Sequence, residues 1–186
     1  LHYTSWGIVC PVETPEGGSC GLIKNLAMLS HLRVGTHSDC ILEHMRVVCS
    51  AWMCWLTEAT DDVRATGIPV LLNGCLVGYT SVGDACASVL DAMRNSRRKS
   101  VIPFDTTVAL VDQTVVIDSD AGCLLRPLFV AEHMHRVRDL ISAHPTVHML
   151  WDVLLRAGVI QYVDKQEESG LRIGLDWKRP DATYTH

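Results

Sequence analysis

The most informative stretch of this chain is residues 6–26, which reads W-G-I-V-C-P-V-E-T-P-E-G-G-S-C-G-L-I-K-N-L. Pro11 and Pro15 each fix their own φ and restrict the residue before them, so Glu13 and Glu16 lie on a backbone with little conformational freedom. Three glycines in the second half of the stretch allow a tight turn. Because a simple connection does not need such stiffness, the pattern predicts a loop that presents a carboxylate in one place.

Three interpretations of this loop are open on chemical grounds. In the first, Glu13 and Glu16 cap a following helix or pair with a nearby arginine. In the second, residues 18–21 form a nucleophile loop in which a helix dipole activates the thiol of Cys20; it needs a histidine partner, and the chain has nine histidines but no local signature of such an enzyme. The third, a phosphate-binding loop, is disfavoured because residues 17–24 lack the G-x-x-x-x-G-K-[ST] order.

The apolar spacing after the glycines predicts a helix from Cys20 to about Ser30, with Ser19 as its N-cap. Lys24 and Asn25 would lie on a different face of this helix from its apolar stripe. The stripe consists of Leu22, Ile23, Leu26 and Leu29.

Two hairpins are predicted in the middle of the chain. Asn73-Gly74 separates two apolar runs, and Asn-Gly is the strongest short hairpin signal because both central residues of a type I′ turn need positive φ. Asp112-Gln113 is the predicted turn of the second hairpin. The predicted strands are residues 68–72, 75–80, 106–111, 114–118 and 124–130.

A helix is predicted between the hairpins, where Ser81 and Asp84 form a capping-box pattern. Its apolar stripe consists of Val82, Ala85, Val89, Ala92 and Met93. Its basic end, which complements the helix dipole, carries Arg94, Arg97, Arg98 and Lys99. Residues 36–66 are predicted to be irregular, with Trp52, Met53 and Trp55 as packing anchors.

A last helix is predicted with Pro145 in its first turn and Gly158 at its C′ position. Its buried face consists of Val147, Leu150, Trp151, Leu154 and Leu155. A strand at residues 159–163 follows directly. Hairpins mixed with helices in this way predict the α+β fold class.

Composition limits the function further. The 186 residues are 48% hydrophobic, enough to build a packed core, and the formal net charge is −5. A free-standing nucleic-acid-binding domain is usually basic, so any contact with nucleic acid should be local and depend on a larger assembly. No signal peptide is visible and no apolar run reaches the ~18 residues of a membrane span, so we expect a soluble, intracellular protein. The sequence starts at Leu1 and not at Met, and it stops at His186 without a polar tail, so we expect it to be a segment of a longer chain.

The chain has eight cysteines, but none of them are spaced as C-x-x-C. A disulfide framework is typical of small secreted chains, and a zinc site would need close cysteine pairs. We therefore expect reduced cysteines that serve as small apolar residues, and no bound metal. They are Cys10, Cys20, Cys40, Cys49, Cys54, Cys75, Cys86 and Cys123.

Residues 6–26 closely resemble the signature W-G-x-x-C-P-x-E-T-P-E-G-x-x-C-G-L-x-K-N-L of the second-largest subunit of multisubunit DNA-directed RNA polymerases, in its archaeal, eukaryotic and viral form. Residues 70–74 look like the V-F-V-N-G strand and turn of that family. Residues 120–129 resemble its D-A-G-R-x-x-R-P-L-F run, with Arg126 kept and Cys123 in place of the usual arginine. Residues 154–164 and 182–186 resemble two later segments of the same family.

The resemblance implies a division of the chain into three parts. Residues 1–45 would belong to the fork region (domain 3 of the subunit), residues 46–132 to the first external region (domain 4), and residues 133–186 to the second external region (domain 5), truncated at both ends. The short, divergent stretch 36–66 indicates a large DNA virus or a divergent eukaryote as the source.

The resemblance also implies what this segment does and does not carry. The Mg²⁺ ligands of the parent enzyme lie on its largest subunit, and the zinc of the parent subunit lies outside this segment, so no catalytic residue and no metal ligand is expected here. The fork loop is expected to support the active centre against the bridge helix and near the mobile trigger loop. The supporting residues implied are Glu16, Glu13, Pro15, Lys24 and Asn25.

Arg97, Arg98, Lys99 and Arg126 are implied as possible basic contacts, the alternative for the first three being a solvated helix end. The implied partners are the largest and the smaller polymerase subunits, the DNA template and the RNA–DNA hybrid, with no membrane. The implied location is the nucleus of a eukaryotic cell or, for a large DNA virus, the cytoplasmic viral factory, the host nucleus or the virion. The competing interpretations are an independent α+β binding module and a thiol hydrolase that uses Cys20.

Overall fold

The computed structural model describes residues 1–143, 147–174 and 183–185. Its strands are β1 His31–Leu32, β2 Met53–Trp55, β3 Ile68–Leu72, β4 Cys75–Thr80, β5 Thr107–Val111, β6 Thr114–Asp118, β7 Leu124–Val130, β8 Ile160–Val163, β9 Ile173–Gly174 and β10 Tyr184–Thr185. Its helices are α1 Ser38–Val48, α2 Asp61–Thr66, α3 Asp84–Arg98, α4 Val137–Ala143, α5 Val147–Arg156 and α6 Lys165–Ser169. Short 3₁₀ turns lie at Tyr3–Ser5, Gly17–Ser19 and Ala131–Arg136. The predicted α+β class is confirmed.

The first sheet has the strand order β2-β4-β3-β6-β5. Its two hairpins confirm the turn predictions, since φ is +50° at Asn73 and +77° at Gly74, and +45° at Asp112 and +60° at Gln113. All pairs are antiparallel except β3 with β6, which run parallel at the centre of the sheet. Helix α3 connects the hairpins and makes this central parallel pairing possible.

The larger core lies between this sheet and two helices. Val89 and Met93 of α3 and Ile41 and Met45 of α1 are all completely buried in it. The sheet contributes the inward-facing residues of its strands, among them Val70, Leu72, Val108, Val115 and Ile117. The periodicity of α3 therefore predicted its buried face correctly for Val89 and Met93.

The second sheet is organised around β7, which agrees with the predicted strand at residues 124–130. Strand β1 pairs with the start of β7, β10 pairs with its end, and β8 runs antiparallel to it. Before β8, helix α5 ends in a Schellman motif: Gly158, with φ +68°, donates to the carbonyl of Leu155, and Val159 donates to that of Leu154. The predicted C′ role of Gly158 is thus confirmed, whereas Pro145 and the side chain of Val147 lie outside what the structure describes.

The predicted helix from Cys20 to Ser30 does not form. Gly21 has φ +81°, and Leu26 pairs with Val9 in an isolated antiparallel bridge. Leu22 and Leu29 of the predicted stripe are exposed, so this helical spacing does not mark a face that packs on the chain's own core. Spacing alone does not tell which surface an apolar residue will cover.

The prediction of an irregular stretch at residues 36–66 is also wrong. The stretch contains α1, β2 and α2. Of the three predicted anchors, Met53 is buried and Trp55 packs against the core, but the prediction is wrong for Trp52, which is 39% exposed. Ile41 and Met45 are spaced at i, i+4, so the signal for α1 was present in the sequence.

Helix α1 also contacts β2 through a cation–π pair, in which the guanidinium of Arg46 lies over the ring of Trp55, 4.9 Å from its centroid.

The capping box at the start of α3 does not form either. The N-cap is Gly83, with φ +92°, and no side chain caps this helix. Val82 lies before the helix and is exposed. Among the described residues, no helix has the length and apolar character that crossing a bilayer requires.

Candidate functional site

The acidic loop, residues 10–25, is closed at its base by backbone hydrogen bonds. The amide of Ala27 donates to the carbonyl of Ile8 at 2.9 Å, and the amide of Cys10 donates to the carbonyl of Asn25 at 2.9 Å. Between them lies the bridge of Val9 with Leu26. The loop therefore begins and ends on one short antiparallel stem.

Two polar side chains fasten the inside of the acidic loop. The Thr14 hydroxyl accepts from the amide of Gly21 at 2.9 Å and donates to the carbonyl of Ile23 at 3.2 Å. The amide group of Asn25 donates to the carbonyl of Glu13 at 3.1 Å. Because these bonds cross the loop, they hold its two halves together where no helix or sheet does so.

The carboxylates of Glu13 and Glu16 are accessible on the surface of the acidic loop. Glu13 and Glu16 are both exposed, and neither forms an ion pair with a described residue. The first interpretation, in which they cap a following helix or pair with an arginine, therefore does not fit this structure. Pro15 is half-buried between them and Lys24 is exposed. All five predicted supporting residues therefore lie on this loop, and the side chain of Asn25 holds its two halves together by a hydrogen bond to the carbonyl of Glu13.

Exposed apolar side chains lie on the acidic loop and just after it. Val12 is 84% exposed and Met28 is 97% exposed. Leu22 and Ile23 are also largely exposed. Burying apolar area is favourable by roughly 25 cal/mol per Å², so a surface of this kind is typical of a contact with another part of an assembly.

Arg97 has a different environment from the predicted one. It is 3% exposed and forms a bidentate ion pair with Glu167 of α6, with both N–O distances 2.7 Å. It also donates to the carbonyl of Thr106 and to Gln161. The interpretation of a solvated helix end is therefore wrong for Arg97.

Glu167 is completely buried and has two further partners, the guanidinium of Arg94 as an ion pair and the amide of Val108 as a hydrogen-bond donor. The Nε of Arg94 lies 3.4 Å from its Oε1, and the amide of Val108 donates to its Oε2 at 3.2 Å. Burial alone would lower the pKa of Arg97, but the charge and hydrogen bonds of Glu167 outweigh it, so the pKa of Arg97 is raised and the guanidinium stays charged.

The remaining basic candidates lie at different places. Arg98 donates to the hydroxyl of Tyr184 at 3.1 Å, Lys99 is exposed at the end of α3, and Arg126 of β7 is buried in an ion pair with Glu168. Contact of these basic residues with a partner or nucleic acid stays a prediction.

Sequence reasoning missed Glu167 and Glu168. Their only local signal is the acidic pair that follows Asp164, whose side chain accepts from the amide of Glu167 and caps α6. The neighbouring sequence does not predict which arginines they bind, because Arg97, the partner of Glu167, is 70 residues away along the chain.

The thiol hydrolase interpretation needs a histidine partner for the thiol of Cys20. Cys20 is exposed and has no hydrogen bond to a described histidine. Burial raises the pKa of Cys49 to about 11, which keeps that thiol protonated at neutral pH. In the described part of the chain, no three histidine, cysteine, aspartate or glutamate side chains come together as metal ligands.

Replacing Thr14 by valine is expected to loosen the acidic loop without unfolding the chain. The change keeps the shape of the side chain but leaves the amide of Gly21 without its acceptor, which should raise hydrogen exchange at that amide about tenfold. Mass-spectrometric hydrogen exchange of residues 10–25 would measure this. Thr57→Val, at a residue exposed in a turn, is the control, and equal exchange in both variants would contradict the fastening role.

Two family models match the chain. The one described as RNA polymerase Rpb2, domain 3, matches residues 1–32, and the one described as RNA polymerase Rpb2, domain 4, matches residues 70–132. The first covers the acidic loop, and the second covers β7 and both hairpins except the first two residues of β3. The three-part division of the chain proposed above stays a prediction in its boundaries.

Relatives of known identity align with almost the whole chain. The DNA-directed RNA polymerase II subunit RPB2 of Schizosaccharomyces pombe is 30% identical over 200 residues, which cover 94% of this chain and 16% of the relative. The DNA-directed RNA polymerase subunit Rpo2 of Saccharolobus shibatae is 31% identical over 198 residues, which cover 100% of this chain and 17% of the relative. The DNA-directed RNA polymerase II subunit 2 of Arabidopsis thaliana is 31% identical over 206 residues, which cover 100% of this chain and 16% of the relative. The chain spans about a sixth of the length of these relatives.

Proposed function

This chain belongs to the family of the second-largest subunit of DNA-directed RNA polymerase, and we propose that it supports template-directed RNA synthesis by bracing the active centre beside the bridge helix and trigger loop. The observation that carries this proposal is the acidic loop. Hydrogen bonds of Thr14 and Asn25 hold its backbone together, while the carboxylates of Glu13 and Glu16 are exposed and form no ion pair with a described residue.

The role we propose is bracing and not chemistry. Nucleotidyl transfer by the parent enzyme uses Mg²⁺, which we assign to the largest subunit, and the zinc of the parent subunit to a part outside this chain. The described residues of this chain offer no set of ligands for either ion. The segment by itself is therefore proposed to be inactive.

The proposed partners are the largest subunit and the smaller subunits, together with the DNA template and the RNA–DNA hybrid in the assembled enzyme. The apolar side chains around the acidic loop support a protein contact, since Val12 and Met28 are almost fully exposed in the chain alone. The formal charge of −5 supports only a local contact with nucleic acid.

The location follows from the assembly. If the source is a cellular eukaryote, we propose that the chain works in the nucleus. If the source is a large DNA virus, we propose the cytoplasmic viral factory, the host nucleus or the virion.

A fixed carboxylate beside a mobile element can change the balance between its open and closed states. A difference of about 1.4 kcal/mol between these states changes a population or a rate tenfold. Glu16, which follows Pro15, is the first candidate for this effect and Glu13 is the second. Both belong to a loop whose geometry the two prolines and the internal hydrogen bonds restrict.

Replacing Glu16 by alanine in the assembled polymerase is expected to change the elongation rate or fidelity several-fold, up to about tenfold, with assembly unchanged. The physical reason is that the substitution removes a charge from the loop without removing any hydrogen bond that shapes it. Elongation on a defined template, with misincorporation scored in parallel, measures the effect.

The matched control is Glu43→Ala, which removes an exposed carboxylate from α1. Equal rates and equal fidelity for Glu16→Ala, Glu43→Ala and the parent enzyme would rule out the proposed role of Glu16. Glu13→Ala would then be the remaining test of the loop.

A further inference from the structure

Helix α6 carries two consecutive glutamates that bind arginines from two different parts of the chain. Glu167 pairs with Arg97 of α3, which packs on the first sheet. Glu168 pairs with Arg126 of β7, the central strand of the second sheet. The Glu167–Arg97 pair holds α6 against α3. The Glu168–Arg126 pair connects α6 to β7, on the side of the acidic loop.

The Arg126 pair is fixed in geometry. The Nε of Arg126 donates to Oε2 of Glu168 at 3.1 Å and its Nη2 donates to Oε1 at 2.8 Å, so the guanidinium binds the carboxylate in a fork. Lys165 also donates to Oε2 of Glu168 at 2.8 Å. Only 4% of Arg126 is exposed, so this ion pair is shielded from solvent on the arginine side.

The aliphatic part of Arg126 lies against Gly7. A Cβ added to Gly7 would lie 2.8 Å from the Cδ of Arg126, closer than real Cβ atoms approach another carbon. Gly7 also has φ +74°, which a residue with a side chain rarely adopts. The main chain therefore passes directly over the Arg126 side chain at this residue.

Gly7 is the residue immediately before the stem of the acidic loop. The carbonyl of Ile8 accepts the amide of Ala27, and Val9 pairs with Leu26. The main chain at the base of the loop thus packs on the side chain of Arg126, and Arg126 in turn forms an ion pair with Glu168. A continuous set of contacts joins α6 to the loop that carries Glu13 and Glu16.

We infer that Arg126 is a positioning residue for the acidic loop, and that Glu168 of α6 sets the orientation of its guanidinium. The inference rests on the proposed function of the loop for its effect on RNA synthesis, but the contact itself is independent of that function. A purely structural Arg126 would stabilise β7 and leave the dynamics of the loop stem unchanged.

The test uses the assembled polymerase with Glu168→Gln, which keeps the size of the side chain and removes its charge. We expect hydrogen exchange at the stem amides of Cys10 and Ala27 to rise about tenfold, the factor that corresponds to one charge-assisted hydrogen bond. The maximal elongation rate at saturating nucleotide should change in the same direction as in Glu16→Ala, with a smaller effect on the nucleotide concentration at half-maximal rate.

Two further variants make the result specific. Lys165→Met removes the other cation that binds Glu168 but keeps the Arg126 pair, so its stem exchange should equal that of the parent enzyme. Arg126→Lys keeps a charge and the aliphatic stem against Gly7 but cannot form the fork, so its exchange should be intermediate.

Unchanged stem exchange in both Glu168→Gln and Arg126→Lys would overturn the inference. Equal increases in Lys165→Met and Glu168→Gln would also overturn it, because general loosening of α6 would then be the cause. Faster stem exchange with unchanged elongation would support the positioning contact and contradict the proposed function of the loop, so the two failures are distinguishable.

Discussion

Replacing Glu167 by glutamine is expected to lower the free energy of unfolding of this chain by about 3–5 kcal/mol, the usual cost of breaking a buried ion pair on one side. The carboxylate has no exposed surface, and it is the bidentate partner of Arg97. With glutamine in its place, the guanidinium of Arg97 would stay buried and charged without its bidentate partner, and the charge of Asp164 would act on it only from a distance. The same change would weaken the acceptor of the Val108 amide, which joins α6 to β5.

Urea unfolding, with the transition followed by tryptophan fluorescence and by circular dichroism, would measure this loss. Glu132→Gln is the matched control, since Glu132 is exposed and forms no ion pair with a described residue, and its effect should stay within about 0.5 kcal/mol. A loss below about 1 kcal/mol for Glu167→Gln would mean that water or a neighbouring group compensates Arg97, and that the pair does not anchor α6.

A double-mutant cycle can separate the pair from its surroundings. Arg97→Met and Glu167→Met should each be strongly destabilising, but the double variant should be much less unstable than their sum, because it leaves no unpaired charge at this position. Arg94, whose Nε lies 3.4 Å from Glu167, will reduce this non-additivity, since it stays in place in every variant.

Features encoded by neighbouring residues could be predicted from the sequence. Asn73-Gly74 specifies a hairpin turn through the conformational preferences of those two residues alone, and Gly158 ends α5 for the same kind of reason. The composition of the acidic loop was equally readable, because Pro11 and Pro15 restrict the backbone wherever they occur.

Features that depend on distant residues could not be predicted. Arg97 looked like part of a basic helix end until the fold brought Glu167 to it from 70 residues away. The apolar residues after Gly21 had helical spacing, but Leu22 is 78% exposed, and the polar groups of the loop bond across it and not along a helix. A pattern of apolar residues predicts burial and does not say against which surface.

The candidate site combines both kinds of feature. Glu13 and Glu16 follow from the sequence, but the hydroxyl of Thr14 as fastener and Arg126 as support of the stem follow only from the fold. This division has a physical consequence for variants: changes at the glutamates should alter the proposed contact directly, and changes at Thr14 or Arg126 should alter it through the shape of the loop.

Replacing Ile117 by alanine is expected to destabilise the chain by about 2–5 kcal/mol, the range for large-to-small changes in a packed core. Ile117 is completely buried on β6 and lies between Leu72 of β3 and Val108 of β5. Its removal would leave a cavity at the parallel centre of the first sheet, where α3 packs and where neighbouring strands restrict relaxation.

The series Ile117→Val and Ile117→Ala tests this cause, since the first removes one methylene and should cost only about 0.5–1.5 kcal/mol. Leu110→Ala on the neighbouring strand β5 is the control: Leu110 is 44% exposed, so its loss should be clearly smaller than that of Ile117→Ala. Urea unfolding of the four proteins gives the ranking directly. Equal losses for Leu110→Ala and Ile117→Ala would contradict a core centred on β6, because burial would then not determine the cost of the lost side chain. If the ranking holds, burial in the first sheet determines the cost of a lost side chain, and this is the sheet on which α3 packs and presents Arg97 to Glu167.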